Sequence, residues 1–472
     1  RNNGTINGTI INSNFTGNSA TLNGGAIYWG GANGTLTTSN FTDNSANNGG
    51  AVYWNGANGT LTGSNFTNNK ATNSGSGVYW AGAKGSIFNS IFIDNDAGNN
   101  GGAISWSGVN GTLTDSSFTN NNAANEGGGI RFNSEAVNCT ILNCTFINNI
   151  ATNSGGAVSW YGANSTMSNC NFKDNHAVKG DNVYWRWTVN DFLNKYNQIN
   201  DYDYVYIRNG IGTPSSTIIL NKKGITISGQ DKDNVIFDAK GGNFHFEVTG
   251  DNVLIENLTF RNFNFTEGDG RGGAILWNGN NGLLKNCNFN NNIAGFGGGV
   301  LWSGTNGTLS DSTFTSNTAT QTTGGGLRWE GTNGNVIDST FISNTAGNSG
   351  GGVWWSGTNG SLINSIFINN TVIRYDGAGV GWATYGNITN CIFINNIAPR
   401  YGGAIYCILD SNIFNCNFVN SKSQQYNGIY ASKDLNINGG NGIVYIFTQG
   451  TLSGVSIVVL NNETYYYPPN SN

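Results

Sequence analysis

Charged residues make up only 10% of this 472-residue chain, where an ordinary globular protein carries about 25%. Charge this sparse excludes an acid-rich or lysine-rich disordered tail. The 21 Lys+Arg are scattered, the net charge is −5 and the pI is near 5.0, so nothing marks a surface for nucleic acid or anionic lipid. No stretch approaches the roughly 20 apolar residues of a membrane span, and Arg1-Asn-Asn-Gly-Thr5 opens the chain without a signal-peptide apolar run. Proline occurs four times, histidine twice and methionine once. Glycine, in contrast, occurs 71 times, and the 37% of hydrophobic residues are spread evenly enough to fill a long core.

A length of 472 residues suggests about three domains of about 150 residues, but an internal repeat overrides that count. Gly24-Gly-Ala-Ile-Tyr-Trp29 returns in variant form from Gly49, Gly75, Gly101, Gly127, Gly155 and Gly180, and again from Gly272, Gly297, Gly324, Gly350, Gly377 and Gly402. Successive starts lie 25 to 28 residues apart within each series. The slot of Ile27 is always Ile, Val or Leu and that of Trp29 is almost always aromatic, whereas Tyr28 between them is matched by Ser105, Arg131, Ser159, Arg328 and Gly381. Such alternation reads as a strand with Ile27 and Trp29 inward and Tyr28 outward. Leu36 and its equivalents mark a second short strand, and Phe15, Phe41, Phe66 and their equivalents a third. Three short strands per 25 to 28 residues, separated by Gly and Asn corners, predict one coil of a right-handed parallel β-helix in an all-β fold.

Two columns sharpen this reading. Three residues after the Phe of every repeat but the last stands an asparagine, from Asn18 and Asn44 to Asn370 and Asn396, which predicts an amide ladder between coils about 4.8 Å apart. Two residues further on is a small residue such as Ala46 or Ala71, expected at a tight corner. The seven cysteines fit the repeat better than a disulfide framework. Cys144, Cys170, Cys287, Cys391 and Cys416 replace serine two residues before the Phe, Cys407 stands in the Trp slot, and Cys139 lies off these columns. They are read as packed thiols, with a Cys144 to Cys170 bridge as the alternative.

Titratable groups offer little chemistry. His176 reads as a corner residue beside the Asn ladder and His245, within Asn243-Phe-His-Phe-Glu-Val248, as solvent-facing on a strand. Carboxylates never recur in register, so a paired acid/base site has little material, and neither histidine is expected to be catalytic. Glu267, Asp269 and Arg271 share one loop, Asp231 and Asp233 another; both read as solvated turns in preference to calcium sites. No Cys or His spacing suits zinc, and no metal is expected.

Between residues 188 and 270 the repeat breaks. Val189, Phe192, Leu193, Tyr196 and Ile199 have helical spacing with Thr188 or Asn190 as N-cap, so an amphipathic helix is expected at 188–200 as a cap or plug. The domain plan is therefore a first β-helix segment over 1–187, the helix, a second segment over 201–440 and terminal strands over 441–472. Those strands, Ile443–Phe447 and Val455–Leu460, read as the opening of an immunoglobulin-like module or as edges reaching a second copy head-to-tail, a contact that would propagate as a filament.

The combination F-x-x-N-x-A followed by GGAI resembles the repeats of chlamydial polymorphic outer-membrane proteins. The fuller unit, with NGT after the tryptophan, is similar to adhesin-like surface proteins of methanogenic archaea, which carry pectate-lyase-like β-helix repeats. The resemblance implies a cell-surface location, no cofactor, and an adhesive or surface-structural role with polysaccharide, another cell or a second copy as partner. A polysaccharide lyase or glycosidase, or a carbohydrate-binding module, is the alternative, but the acidic positions that the enzymes of this fold use do not recur. Outward Tyr28, Tyr53 and Tyr79 fall in consecutive coils and form a candidate aromatic binding strip, against which stands a purely stabilising stack. The sequons at Asn33, Asn58, Asn110, Asn306 and Asn359 sit at Gly-bearing corners and are candidate glycosylation sites.

Overall fold

The glycine pair that opens each repeat answers two separate requirements. Gly49 has φ +61°, a left-handed conformation, and a side chain on Gly50 would sit 2.4 Å from the carbonyl oxygen of Ser76 in the next coil. The chain can then enter the strand Val52–Trp54, whose ends are buried and whose middle residue is not. Two further strands follow, Thr60–Thr62 and Asn65–Thr67, each burying its central residue, Leu61 or Phe66. Every strand pairs in parallel with its equivalent one repeat on: Val52 with Val78, Leu61 with Ile87, Phe66 with Phe92. The repeat is thus one turn of a parallel β-solenoid, and among the described residues the fold is all-β but for one short helix and the 3-10 turn that follows it, as expected.

The computed structural model describes residues 7–267, 270–425, 428–442, 446–449 and 452–453. They fall into two compact units, one of residues up to 210 with 222–230, the other of 211–221 and 231 onward. The division therefore comes after the helix, and residues 188–200 belong within the first unit instead of separating two segments. No helix among the described residues is long and apolar enough to cross a membrane.

Corners explain the asparagine content that the ladder alone does not. In one coil Asn58, Gly63 and Asn68 have φ +54°, +56° and +54°, and these slots elsewhere hold mostly Asn, Asp or Ser. Asn and Asp tolerate this region because their short side chains bond locally. The alanine column, read as a tight corner, is in fact a fourth short strand: Lys70–Ser74 pairs with Ser45–Asn48 and with Asp96–Ala97.

Inside the first unit, Trp29, Trp54 and Trp80 stack at 4.7 and 4.6 Å between ring centroids, and Phe41, Phe66 and Phe92 at 4.7 and 4.8 Å. The second unit repeats both columns, from Trp277 to Trp382 and from Phe260 to Phe418. The asparagine ladder forms as expected in both. The Asn69 amide donates to Asn95 Oδ1 at 3.0 Å and to the Phe41 carbonyl at 3.0 Å, and in the second unit Asn317 donates to Asn344 Oδ1 at 2.9 Å.

The cysteines are free thiols, and no bridge joins Cys144 to Cys170. They reproduce the bonding of the serines they replace: Ser116 Oγ donates to the Thr114 carbonyl at 2.8 Å, Cys144 Sγ to the Leu142 carbonyl at 3.4 Å. Cys139 is not off-column. Counted back from Phe146 it occupies the slot of Gly111, a slot that Ser165 fills in the next coil; its Sγ accepts the Gly111 N–H at 3.3 Å and its own N–H donates to Ser165 Oγ at 3.2 Å. Burial pushes Cys144 and Cys287 up to about 12, and Cys139 and Cys407 to about 11. Burial also pushes Cys170 up to about 11, so exposure alone sets it apart, and alkylation at pH 8 is expected to reach the half-exposed Cys170 first and the other six only on unfolding, as intact mass will show. Six or seven labels on the native chain would contradict this packing.

The helix spans Val189–Lys195, followed by a 3-10 turn at Tyr196–Gln198. Thr188 caps it, its hydroxyl accepting the Asp191 N–H at 3.0 Å while Asp191 Oδ2 accepts the Thr188 N–H at 3.1 Å. Val189 and Phe192 are buried, and Gln198 Oε1 accepts the Met167 N–H at 3.2 Å, an edge amide of the first unit. Just beyond the helix lies Asp203, buried, its carboxylate accepting N–H groups from Val183 at 3.1 Å, Trp185 at 2.9 Å and Asn200 at 2.9 Å. Burial pushes its carboxyl up to about 7 although these donors pull it down. A folded pKa above the unfolded value, about 4, means that protonation contributes stability fully present below about pH 4 and lost as pH rises through about 7. The first unit is expected to melt at a higher temperature at pH 5 than at pH 8, with the difference shrinking in Asp203→Asn. Melting that rises between these pH values and ignores the substitution would refute this.

The end of the described chain departs from expectation. Ile446–Thr448 pairs in parallel with Ile429–Ala431, and Leu452–Ser453 with Leu435–Asn436, so the described part of the first terminal strand is a further rung of the second unit, at the end of its sheet, and residues 443–445 lie outside the described residues. Residues Val455–Leu460 lie outside the described residues.

Candidate functional site

Because the core columns consume the inward residues, recognition has to come from side chains that point out. In the first unit the middle residues of the Gly-Gly strands stack in register as Tyr28, Tyr53, Tyr79, Ser105, Arg131, Ser159, Tyr184 and Tyr204. The predicted strip is there. Tyr28 and Tyr53 lie 5.2 Å apart at 7° between planes, Tyr53 and Tyr79 5.0 Å apart at 4°. Rings stacked this closely cover one another's faces and offer only edges and hydroxyls to a partner. Burial, then the neighbouring Tyr79 and Tyr28, raise the Tyr53 hydroxyl above its ordinary pKa, which fits a packed ladder. The strip is geometrically a stabilising stack.

Further along the column is a cluster that sequence reasoning missed. Arg131 pairs with Glu126 at 2.9 Å and lies 4.9 Å above the Tyr161 ring, whose hydroxyl donates to Glu126 Oε1 at 2.6 Å. In the second unit Arg328 takes the equivalent slot and pairs with Glu330 at 2.7 Å, which also binds Arg271 at 2.7 Å. Its signal was the arginine standing between the two inward residues of GGGIRF and GGGLRW. Arg271 is thereby drawn away from Glu267, which instead accepts from Asn243 Nδ2 at 2.9 Å; Asp269 lies outside the described residues. Asp231 closes its own turn by accepting the Asp233 N–H at 3.0 Å. Among the described residues no three His, Cys, Asp or Glu side chains converge as metal ligands would.

His176 is at an exposed corner, 3.1 Å from Asp181. His245 is not on a solvent face. The register of Phe246 with Ile275 places it in the slot of Ala274, where it is buried, stacks on Phe265 at 4.0 Å and has Nδ1 3.0 Å from the Gly272 carbonyl oxygen.

All five sequon asparagines are exposed, with φ between +54° and +56°. The glycine that follows each is fixed by the core. A side chain on Gly59 would meet the Trp54 indole at 2.2 Å, and one on Gly307 the Trp302 indole at 2.4 Å. Asn58 donates to Asn33 Oδ1 at 3.1 Å and Asn359 to Asn333 Oδ1 at 3.2 Å, so the sequons line an exposed amide ladder. The fold itself thus accounts for the Asn-Gly half of each sequon.

Three stretches match the Chlamydia polymorphic membrane protein repeat. They are residues 12–28, 143–159 and 390–408, each running from the Phe strand, or the corner just before it, through the ladder asparagine into the Gly-Gly strand. The chain is similar to that family in these segments. Among curated proteins none matches.

Proposed function

We propose that the chain is a cell-surface repeat protein of adhesin-like or surface-structural type that works by contact and not by catalysis. The observation that carries this reading is the division of labour in the coil: the repeating residues are spent on stacking, and what varies from coil to coil is the outward column. The match to a membrane-protein repeat supports a surface location, and the resemblance to archaeal adhesins supports contact as the role. The carboxylates are held in structural pairs, Glu126 by Arg131, Asp238 by Arg261 and Asp376 by Arg400, which favours a binding surface over an acid/base site. Its partners would be extracellular, a polysaccharide, another cell or a second copy.

The test is surface labelling of intact source cells with a membrane-impermeant amine reagent, followed by attachment assays on cells lacking the protein. Labelled chain and reduced attachment are expected. A chain that stays unlabelled until lysis, or that cleaves pectin or host glycan in purified form, would overturn the reading.

A further inference from the structure

Lysine and arginine are scattered along the sequence, but the first unit brings three of them onto one group of tyrosines. Lys179 and Arg186 flank the outward residue Tyr184 of the strand Val183–Trp187, and both are exposed. Lys179 continues the rungs of Glu126 and Ser154, while Arg186 is turned outward between the buried Trp185 and Trp187. The Arg186 guanidinium lies 5.4 Å from the centroid of the Tyr161 ring, and that of Arg131 lies 4.9 Å from the same centroid. One comes from the coil after Tyr161 and the other from the coil before it. Lys179 Nζ is 6.0 Å from the centroid of Tyr204, whose ring stacks on Tyr184 at 5.5 Å. Rings therefore hold these cations. The cluster contains one carboxylate, Glu126, and both of its oxygens are taken, Oε2 by Arg131 at 2.9 Å and Oε1 by the Tyr161 hydroxyl at 2.6 Å. Asp181, two residues from Lys179, faces His176 at 3.1 Å, and Glu135 accepts from Ser134 Oγ at 3.1 Å. Among the described residues no carboxylate oxygen lies within 4.0 Å of Lys179 or Arg186.

Arg131 shows the alternative arrangement, a guanidinium neutralised by its own carboxylate. Arg186 and Lys179 carry their charge to the surface without one, and the counter-charge has to come from outside the described chain. A guanidinium offers paired N–H donors to a carboxylate or sulfate, and one already resting on a ring loses less freedom when it binds. We infer that Lys179 and Arg186 bind the anionic groups of an acidic polysaccharide, one on each side of the Tyr184–Tyr204 stack. Nucleic acid suits the site less well. Duplex DNA carries one charge per about 1.7 Å, whereas two uncompensated cations on a chain of net charge −5 match a polymer with sparser anions. This deepens the surface-contact reading, and rests on it, by naming the partner's chemistry.

The test is affinity electrophoresis of the purified full chain, at about 0.15 M salt, in gels containing uronate polymers (polygalacturonate, alginate), a sulfated one (chondroitin sulfate) or neutral galactomannan. Retardation by at least one acidic polymer and not by galactomannan is expected; the uronate and sulfate arms tell which anion is bound. The apparent dissociation constant is expected to rise about tenfold in the double variant Lys179→Gln, Arg186→Gln and less in Arg186→Lys, which keeps the charge and loses the paired donors. The charge-matched variant Lys70→Gln, Lys84→Gln, altered at exposed lysines of other coils, should bind as the parent does. Thermal melts matching the parent show that the loss is not unfolding. No retardation by any acidic polymer, equal losses in the two double variants, or tighter binding to DNA than to every acidic polysaccharide overturns the assignment. Surface labelling reports separately on location, so a surface protein that ignores acidic glycans refutes the site and leaves the broader reading standing.

Discussion

Replacing Asn95 by alanine is expected to destabilise the first unit by about 3 kcal/mol, while replacing Asn65 in the preceding coil costs less than about 0.5 kcal/mol. Both side chains belong to amide ladders, but Asn95 is fully buried and Asn65 exposed. Asn95 Oδ1 accepts from the Asn69 backbone N–H at 3.2 Å and from its amide at 3.0 Å, and its own amide donates to the Phe66 and Ile93 carbonyls at 2.9 and 3.0 Å. Alanine leaves the Asn69 N–H buried without an acceptor, and an orphaned buried donor costs about 1–3 kcal/mol before the lost bonds are counted. The Asn65 amide, 2.9 Å from Asn40 Oδ1, is replaced by water at little cost. Urea denaturation followed by far-ultraviolet circular dichroism separates the two. Equal midpoint shifts would show that the buried ladder is decorative.

The second large effect couples tryptophan to glycine. Trp54→Ala is expected to cost about 4 kcal/mol, because the indole is fully buried between Trp29 and Trp80. Gly59→Ala is also expected to be severe, since its Cβ would lie 2.2 Å from Trp54 Nε1. In the double variant the clash has no object, so the combined cost falls short of the sum by about 1–3 kcal/mol. Strict additivity in a double-mutant cycle would mean that Gly59 is required for its backbone alone.

This coupling shows what one sequence reveals and what it conceals. Slots that recur at a fixed offset were readable: the inward Ile and Trp, the Phe column and the Asn ladder all appear where periodicity put them, and so does Thr188 as helix cap. Contacts between columns were not readable, because no count along the chain says that the residue after Asn58 lies under Trp54. Cys139 is the clearest case. A two-residue insertion after Phe132 displaces it from the tryptophan count while the phenylalanine count still holds, and only the packing shows it stacked between Gly111 and Ser165. His245 misled for a related reason: alternation was extended one residue before the strand, which begins at Phe246. At the candidate site the tyrosine column was legible, but not that its faces are closed.

The central claim is that each 25 to 28 residue repeat adds one in-register rung, so that distance grows with coils and not with residues. Spin labels at Thr37 and Ser168 test it most directly. These sites pair through Thr62, Phe88, Thr114 and Leu142, five rungs apart, although the whole chain between them must be traversed. At about 4.8 Å per rung, double electron–electron resonance is expected to give one narrow distribution centred near 24 Å, broadened by the label tethers, and moving the first label from Thr37 to Thr62 to shorten it by about 5 Å. A broad distribution at longer distance, or a separation that does not change with that move, would contradict the solenoid.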